Sequence, residues 1–295
     1  MNAAILVSVP QGGKKMKKNN DMPVLRVDGL TVRYGKGCPH CTGGGKLNKN
    51  TCPECHTVWA ARDINLELYR GEILGIVGES GSGKSTLMKS LYFDFPVTDG
   101  KAYISDYMDG EKDIFNVNLQ QKKFIRNNIM GMVYQNPVLG LRMDYSAAGN
   151  IAEKLIAAGG RNYADMTERA RELLFSVEIL EERMKEPPKN FSGGMQQRVQ
   201  ISKALANNPA VLLLDEVTTG LDLSVQAKVL DLIRKIRQEF NVSILLVSHD
   251  LAVIRMLADR TVVMLDGQII ERGLTDQILD DPQHPYTQQL VHSLL

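Results

Sequence analysis

Regular alternation of apolar and polar positions begins near the start of the chain. Val24–Arg33 alternates as a half-buried strand does, and Ile64–Leu68 alternates again. Glu72–Val77 is a short apolar run of the kind found in strands buried on both faces. A glycine-rich turn follows it, and about Ser85–Tyr92 predicts a helix. Strand, glycine turn and helix in succession form one βα unit of an α/β fold.

The middle of the chain changes to helical periodicity. Residues 136–189 are predicted to be mainly helical, most clearly at Ala147–Ala158 and Met166–Ile179. Two further apolar strands, Val211–Asp215 and Ser243–Ser248, end in polar residues. Polar groups at the carboxyl ends of parallel strands form the usual binding crevice of an open α/β sheet. The pattern therefore predicts a site at that edge.

Composition narrows the classes of protein. The chain has 295 residues and 43% hydrophobic content, enough for one large domain with appendages. Lys and Arg total 35 against 34 Asp and Glu, so no nucleic-acid partner is expected. Every apolar run is shorter than the roughly 20 residues that span a bilayer, which predicts a soluble, cytoplasmic chain. Residues 1–22, with four lysines after an apolar start, predict a disordered basic tail rather than a secretory signal.

A phosphate-binding loop lies between the apolar strand and the helix. Its sequence, G-E-S-G-S-G-K-S over residues 78–85, fits G-x-x-x-x-G-K-[ST] in the strand–helix context that distinguishes it from a chance glycine turn. The glycines let backbone N–H groups surround phosphate oxygens, the lysine reaches the β- and γ-phosphates, and the serine hydroxyl ligates Mg²⁺. The residues expected to hold ATP and Mg²⁺ here are Gly78, Ser80, Gly81, Ser82, Gly83, Lys84, Ser85 and Thr86.

Two acids end a later strand. Val211–Asp215 is followed by Glu216, the layout of a Walker B motif. Asp215 is expected to bind Mg²⁺ through its water shell, and Glu216 to orient and polarise the attacking water. The alternative is an ordinary helix-capping pair after a strand, which the phosphate loop makes less favourable.

One segment separates this chain from other P-loop enzymes. Phe191-Ser192-Gly193-Gly194 precedes a predicted helix, and it resembles the signature of ABC ATPases. In that family this turn holds the γ-phosphate of ATP bound to the opposite subunit. Free N–H groups, a hydroxyl and the helix dipole suit an anion. Met195 follows where glutamine is usual, a departure that also occurs in the peptide-importer branch.

The other ABC motifs follow in the family's order. Tyr34 resembles the aromatic residue that stacks on adenine, and Gln135 resembles the Q-loop glutamine that senses Mg²⁺ and the partner. Asp222, after Leu221, resembles the D-loop aspartate, and His249 the switch histidine near the γ-phosphate. Taken alone, Gln135 or His249 would be an ordinary polar residue at a strand end. The resemblance implies catalytic roles for Glu216, His249 and Gln135, with ATP contacts also at Ser192, Gly193, Gly194 and Asp222.

The resemblance implies a fold and an assembly. We expect an α/β P-loop NTPase with an N-terminal antiparallel β subdomain and a helical subdomain at about residues 136–195. The ATPase domain is expected over residues 23–275, with a C-terminal extension at 276–295. A second copy of the chain is expected to complete each ATP site, so that ATP binding closes a head-to-tail homodimer and hydrolysis reopens it.

An insert at residues 36–57 interrupts the first strands and carries every cysteine of the chain. Cys38-Pro39-His40-Cys41 and Cys52-Pro53-Glu54-Cys55 are two C-P-x-C turns. Four thiolates in paired turns can bind one Zn²⁺ tetrahedrally, so we predict a structural zinc ribbon with ligands Cys38, Cys41, Cys52 and Cys55. Iron or redox thiols, or metal-free cysteines, are the alternatives, and two disulfides are unfavourable in the cytosol.

The subgroup is indicated by two segments. The tail His284-Pro285-Tyr286-Thr287 resembles that of peptide- and nickel-importer ATPases. The segment after Gln135 meets the partner in this family, and Gly140-Leu141-Arg142 resembles the ATPase (K) subunit of carbon–phosphorus lyase complexes in phosphonate degradation. This implies soluble lyase core subunits as partners. A membrane permease, with the chain peripheral at the inner membrane face, is the alternative, and a non-hydrolysing assembly module is a third class.

Overall fold

The computed structural model describes residues 22–292, so most of the predicted basic tail lies outside the described residues. The strands are β1 (Leu25–Tyr34), β2 (Val58–Leu68), β3 (Ile73–Val77), β4 (Asp99–Ile104), β5 (Met130–Val133), β6 (Val211–Asp215), β7 (Ser243–Val247), β8 (Arg260–Leu265) and β9 (Gln268–Leu274). The helices are α1 (Pro39–Thr42), α2 (Lys84–Leu91), α3 (Leu119–Phe124), α4 (Pro137–Gly140), α5 (Ala147–Ala157), α6 (Tyr163–Ser176), α7 (Gly193–Leu205), α8 (Leu223–Phe240), α9 (Leu251–Leu257), α10 (Thr275–Asp280) and α11 (Pro285–His292).

The central sheet has six strands in the order β5-β6-β7-β3-β8-β9, all parallel except β9. Every residue of β3, β5, β6 and β7 is buried, as their unbroken apolar sequences predict. Asp215 on β6 pairs with Val247 on β7, so the residues after both strands leave the sheet side by side. Because β7 also pairs with β3, the phosphate loop begins at the same edge.

A second, antiparallel sheet has the order β2-β1-β4. Val27, Leu30, Ile64 and Leu66 turn inward and belong to one core with Leu74 and Ile76 of β3. At the far end of β1, Tyr34 pairs with Val58, the first residue of β2. The sequence between them is the cysteine insert. The predicted N-terminal antiparallel subdomain is therefore confirmed.

A helical subdomain is formed by α5, α6 and α7. Ile151, Leu173, Leu174 and Val199 are buried in one core that continues to the other face of the central sheet. Helix α6 begins at Tyr163, three residues before the periodicity predicts, because the side chain of Asn162 accepts a hydrogen bond from Ala164 N at 3.0 Å and caps the helix. The predicted helical subdomain is confirmed, while its outer boundaries stay predictions.

The C-terminal segment folds back onto the domain. The Glu271 carboxylate on β9 accepts hydrogen bonds from the backbone N–H groups of Gln283 (2.7 Å) and His284 (3.1 Å). This fixes the turn before α11, whose Thr287 is buried. Among the described residues, every helix is too short or too polar to cross a lipid bilayer.

One buried lysine links the helical subdomain to the rest. Lys154 on α5 donates to the Tyr92 hydroxyl at 3.1 Å and to the carbonyl oxygen of Arg126. Burial disfavours its charge and, with the nearby Arg126 and Lys203 cations, lowers its pKa to about 7. No carboxylate is bonded to this ammonium group among the described residues. The folded chain therefore loses a proton here at a pH where an unfolded chain keeps it.

The Lys154→Met variant tests this link. The folded pKa is about 7 against an ordinary 10.5, so the unfolded state binds more protons across that window. The free energy of unfolding should therefore rise with pH between about 7 and 10, by at most about 1.4 kcal/mol per pH unit from this residue. In Lys154→Met, denaturant titrations at pH 7 and 9 should show a smaller rise. The same change at exposed Lys235 is the control, and equal rises in all three proteins would contradict the expectation.

Candidate nucleotide-binding site

The phosphate loop between β3 and α2 has three glycines with positive φ, and two of them also lie tightly against neighbouring strands. Gly78 has φ of 147° and Gly83 has φ of 103°, a left-handed backbone region that favours glycine. A Cβ at Gly83 would overlap the carbonyl oxygen of Ala60, and one at Gly78 would overlap that of Met264. The loop is therefore held close to both sheets, directly before the first residue of α2.

Lys84 lies inside this loop. Its Nζ donates to the carbonyl oxygens of Gly78 at 2.8 Å and Glu79 at 2.7 Å. Burial lowers the pKa of Lys84, and the Glu216 and Asp215 carboxylates oppose that shift. An ammonium group short of solvation and counter-charge is suited to a polyphosphate, which supplies negative charge.

Ser85 and Asp215 form the metal side of the candidate site. The Ser85 hydroxyl donates to Asp215 Oδ1 at 3.0 Å. Burial raises the pKa of Asp215, and this hydrogen bond offsets part of the rise. A hydroxyl and a carboxylate oxygen are ligands that Mg²⁺ accepts, and a bound cation would favour the ionised carboxylate. The residues present therefore fit the predicted Mg²⁺.

Glu216 is the centre of a polar cluster. It adopts φ of 49°, an uncommon left-handed conformation for a non-glycine residue. Its Oε2 accepts from Gln135 Nε2 at 3.0 Å and from the Thr219 hydroxyl at 3.3 Å. His249 Nδ1 lies 3.3 Å from the same oxygen. The three predicted catalytic residues thus meet at one carboxylate, although they come from three different strand ends.

Gln135 and Glu216 line one cleft of about 370 Å³ together with much of the phosphate loop, whereas Asp215 and His249 are not among its lining residues. Tyr34 is at its rim, where its hydroxyl lies 3.2 Å from Thr86 Oγ1 and its ring packs edge-on against Phe95. Tyr34 is 43% exposed, and the stacking of its ring on a base stays a prediction. The described residues that line the cleft are Tyr34, Asn50, Val58, Ala60, Ser80, Gly81, Gly83, Lys84, Ser85, Thr86, Gln135 and Glu216.

The signature turn does not line this cleft. Ser192 and Gly193 are exposed at the start of α7, where the Ser192 side chain caps the helix. Gly193 lies beside Leu221, and Asp222 caps α8 by accepting from Val225 N at 3.0 Å. The predicted signature and D-loop residues are therefore neighbours of each other, on a surface separate from the phosphate loop of the same chain.

The cysteines of the insert converge, as the paired turns predict. All four Sγ atoms lie within 4.8 Å of one another, with 3.7 Å for Cys38–Cys52 and for Cys41–Cys55. A tetrahedron of sulfurs around Zn²⁺, with bonds of about 2.3 Å, has edges of about 3.8 Å. The four side chains therefore fit one tetrahedral metal ion.

The electrostatics of the cluster also suit a cation. Hydrogen bonds with the side chain and then the backbone of Thr57 lower the pKa of Cys55 to about 6. At Cys38 a backbone hydrogen bond at Cys41 lowers the pKa, but burial and the neighbouring thiols outweigh it and raise the pKa to about 12. Four sulfurs this close cannot all ionise unless a cation compensates their charge.

Comparison with known proteins decides the family. A family model described as ABC transporter matches residues 61–219. The putative phosphonates utilization ATP-binding protein PhnK of Escherichia coli (strain K12) is 46% identical over 233 residues, covering 79% of this chain and 90% of PhnK. This chain belongs to the ABC transporter family. The oligopeptide transport ATP-binding protein OppD of Bacillus subtilis (strain 168) is 38% identical over 239 residues, covering 80% of this chain and 67% of OppD.

Solved structures agree with this assignment. A dimeric structure of a post-hydrolysis state of the ATP-binding cassette MJ0796, bound to ADP and Pi, has a TM-score of 0.71 at 28% identity. The alignment covers 85% of this chain and 98% of that one. At 24% identity, cbiO1 from Clostridium perfringens has a TM-score of 0.72 and shows the fold alone. The predicted P-loop NTPase fold and the prediction of an ABC ATPase are confirmed.

Sequence patterns missed two residues that position the site of this ABC protein. Tyr286 on α11 accepts a hydrogen bond from Glu79 N, in the phosphate loop, at 2.8 Å through its hydroxyl. Gln200 on α7 is buried, and its carboxamide accepts from Tyr134 N and donates to Tyr134 O at 3.1 Å. It thereby fixes the residue before Gln135. The only signal for Gln200 in the sequence is a polar residue on the buried face of a helix. The only signal for Tyr286 is its position in the C-terminal motif.

The Tyr286→Phe variant tests whether the C-terminal helix α11 positions the phosphate loop. Loss of this hydrogen bond, worth about 1 kcal/mol, should lower stability slightly and let the loop leave its binding position, so ATP binding should weaken by up to about fivefold. Titration calorimetry with ATP measures the effect. Tyr163→Phe, at a tyrosine that is 79% exposed on α6, is the matched control. Equal affinities in all three proteins would show that Tyr286 does not position the loop.

Proposed function

We propose that this ABC protein binds and hydrolyses Mg·ATP in the cleft around Lys84. The phosphate-loop N–H groups and Lys84 bind the phosphates, and Tyr34 stacks on the base. Ser85 and Asp215 hold Mg²⁺, which neutralises charge on the transferring phosphate. Glu216 accepts a proton from the attacking water, while Gln135 and His249 hold the Glu216 carboxylate and contact the γ-phosphate region.

The proposed active unit is a head-to-tail dimer, in which Ser192–Gly194 of one copy meet ATP on the other. Two observations support it. Ser192 and Gly193 are exposed, while Gly194 is buried, at the positive end of a 13-residue helix whose first N–H groups suit an anion. Leu223, beside the capping Asp222, is 84% exposed, the apolar surface that an interface between copies would cover.

We further propose that ATP-driven closure acts on a carbon–phosphorus lyase core. The observation that carries this proposal is the 46% identity to a protein named for phosphonates utilization, which covers 90% of that protein. The segment after Gln135, with Gly140-Leu141-Arg142, supports it. In this role the chain supplies an ATP-dependent motion, and its residues perform no carbon–phosphorus chemistry.

A groove beside that segment is the proposed docking surface. It has a volume of about 800 Å³ and runs between α3, α4 and α5. Leu139 at its rim is 65% exposed, and Val138 and Tyr145 nearby are also exposed. The cationic side chains along the groove are Lys123, Arg126, Arg142 and Lys203, and the one acid among its described lining residues is Glu153, which pairs with Arg142 and Lys203. A partner segment with an apolar residue and acidic neighbours fits this chemistry.

A peptide or nickel importer is the second candidate function. The 38% identity to an oligopeptide transport ATP-binding protein favours it. The same groove would then receive a cytoplasmic segment of a membrane permease. In both functions the phosphate loop, Glu216 and the dimer would work in the same way. Only the identity of the captured partner therefore distinguishes the importer function from the lyase function.

For the insert we propose a structural Zn²⁺ bound by Cys38, Cys41, Cys52 and Cys55. The sulfur spacing supports this proposal, and so does the small size of the insert. Between residues 35 and 57, only Cys41, Cys52 and Thr57 are buried. A loop with no apolar core depends on its metal for a defined conformation.

Partner capture tests the proposed function. Glu216→Gln should slow hydrolysis by at least about 100-fold and keep the closed, ATP-bound state populated. Isolated gently with ATP from its own cells, the tagged variant should carry phosphonate-processing subunits, identified by mass spectrometry. A permease instead would establish the importer function. The double variant Glu216→Gln/Leu139→Glu should no longer capture the partner.

The matched control for the docking surface is Phe175→Glu on α6, because Phe175 is 77% exposed on the same subdomain away from the groove. This variant should capture the same partners as Glu216→Gln alone. Equal loss with both substitutions, or equal retention, would contradict docking at the groove around Leu139.

Metal analysis tests the zinc site. The purified chain should contain about one zinc per molecule, and Cys38→Ser/Cys41→Ser should contain almost none, since two ligands cannot hold Zn²⁺ tightly. His56→Asn, in the same loop and with an asparagine that tolerates the left-handed backbone there, should keep its zinc. Full zinc content in the double cysteine variant would refute the assignment.

A further inference from the structure

The cysteine insert lies against the end of the strand that carries Tyr34. Thr51 forms an antiparallel bridge with Val58, and Val58 pairs with Tyr34 across β1 and β2. Trp59 N donates to the carbonyl oxygen of Asn50 at 2.7 Å. Residues 50 and 51 therefore add a short bridged segment to the edge of the antiparallel sheet, next to β2. This segment lies beside Tyr34, the residue expected to stack on the base.

Asn50 brings a side chain of the insert into the nucleotide cleft. It lines the same cavity as Tyr34, Val58, Ala60 and the phosphate loop. Its Oδ1 accepts from the Thr51 hydroxyl at 3.3 Å, and the carboxamide nitrogen is available to a ligand. A carboxamide offers a donor and an acceptor together, the pair that matches the edge of an adenine base.

We propose that Asn50 contacts the nucleobase of bound ATP and that the metal-bound cysteine cluster sets its position. The base is then held on its face by Tyr34 and at its edge by the insert. The proposal rests on the ATP site and the zinc site proposed above. It adds a nucleotide-specificity residue from outside the conserved ABC motifs, and it gives the insert a function in substrate binding.

Short connections join the cluster to Asn50. Cys52, fully buried, is two residues from Asn50, and its N–H donates to Thr57 O at 2.9 Å. The Thr57 hydroxyl in turn accepts from Gly37 N at 3.0 Å, which ties the two ends of the insert together. The backbone bonds of residues 50–52 hold this segment to β2, and a metal bound at Cys52 would fix the end of the segment next to Asn50. Because the insert buries little besides sulfur and Thr57, loss of the metal should loosen that end.

Comparing the affinities for two ligands distinguishes recognition of the base from binding of the phosphates. ATP carries the base, whereas inorganic tripolyphosphate carries the phosphates alone. In the full-length chain, Asn50→Leu should weaken ATP binding about fivefold, the effect of one lost hydrogen bond, and leave tripolyphosphate binding and zinc content unchanged. The control is Asn48→Leu, at an exposed asparagine of the same loop, which should bind both ligands as the wild type does.

A variant that lacks two of the proposed zinc ligands tests whether the metal sets the position of Asn50. Cys38→Ser/Cys41→Ser should show the same selective loss for ATP, and Asn50→Leu added to it should cause no further loss. Unchanged ATP affinity in Asn50→Leu, or an equal loss for both ligands, would overturn the proposal. If the wild type contains no zinc but Asn50→Leu still weakens ATP alone, the zinc site fails and base recognition by Asn50 stands.

Discussion

The close approach of the phosphate-loop backbone to the strands on both sides is the constraint on which the site depends. Gly83 lies against the carbonyl oxygen of Ala60 on β2, and Gly78 against that of Met264 on β8. Gly267, in the turn after β8, donates to Ser82 O at 3.1 Å and accepts from Arg62 N at 2.7 Å. The loop conformation therefore requires both sheets, and motion between the sheets would change the shape of the phosphate cradle.

The strand order then places the chemistry around that loop. β7 lies next to β3 and β6 lies next to β7, so Asp215, Glu216 and His249 emerge at one edge although they are distant in sequence. The Q-loop follows β5 at the end of the sheet, and Gln200 from the signature helix holds its backbone in place. A displacement of α7 by a second copy or a partner would thus be transmitted to Gln135 and on to Glu216.

Much of this arrangement follows from local sequence. The loop at 78–85, the acids after β6 and the paired cysteine turns each occupy a short segment whose chemistry requires those residue types. Tyr286 and Gln200 could not be found in this way, because each acts through contacts with a distant part of the chain, and Asn50 reaches the cleft only because the insert folds back beside β2. The Tyr286–Glu79 bond joins residues 207 positions apart. Such pairs become visible only after the two sheets and the tail have packed together.

The separation of the signature turn from its own phosphate loop leads to the central claim, that ATP is bound between two copies. Mixing two inactive variants tests it most directly. Lys84→Ala lacks the phosphate-loop cation, and Ser192→Asp keeps a helix-capping residue while repelling the γ-phosphate. A mixed dimer contains one intact composite site, so ATPase activity should reappear on mixing and rise with protein concentration. No activity above that of the separate variants, with mixed dimers detected, would contradict a shared site.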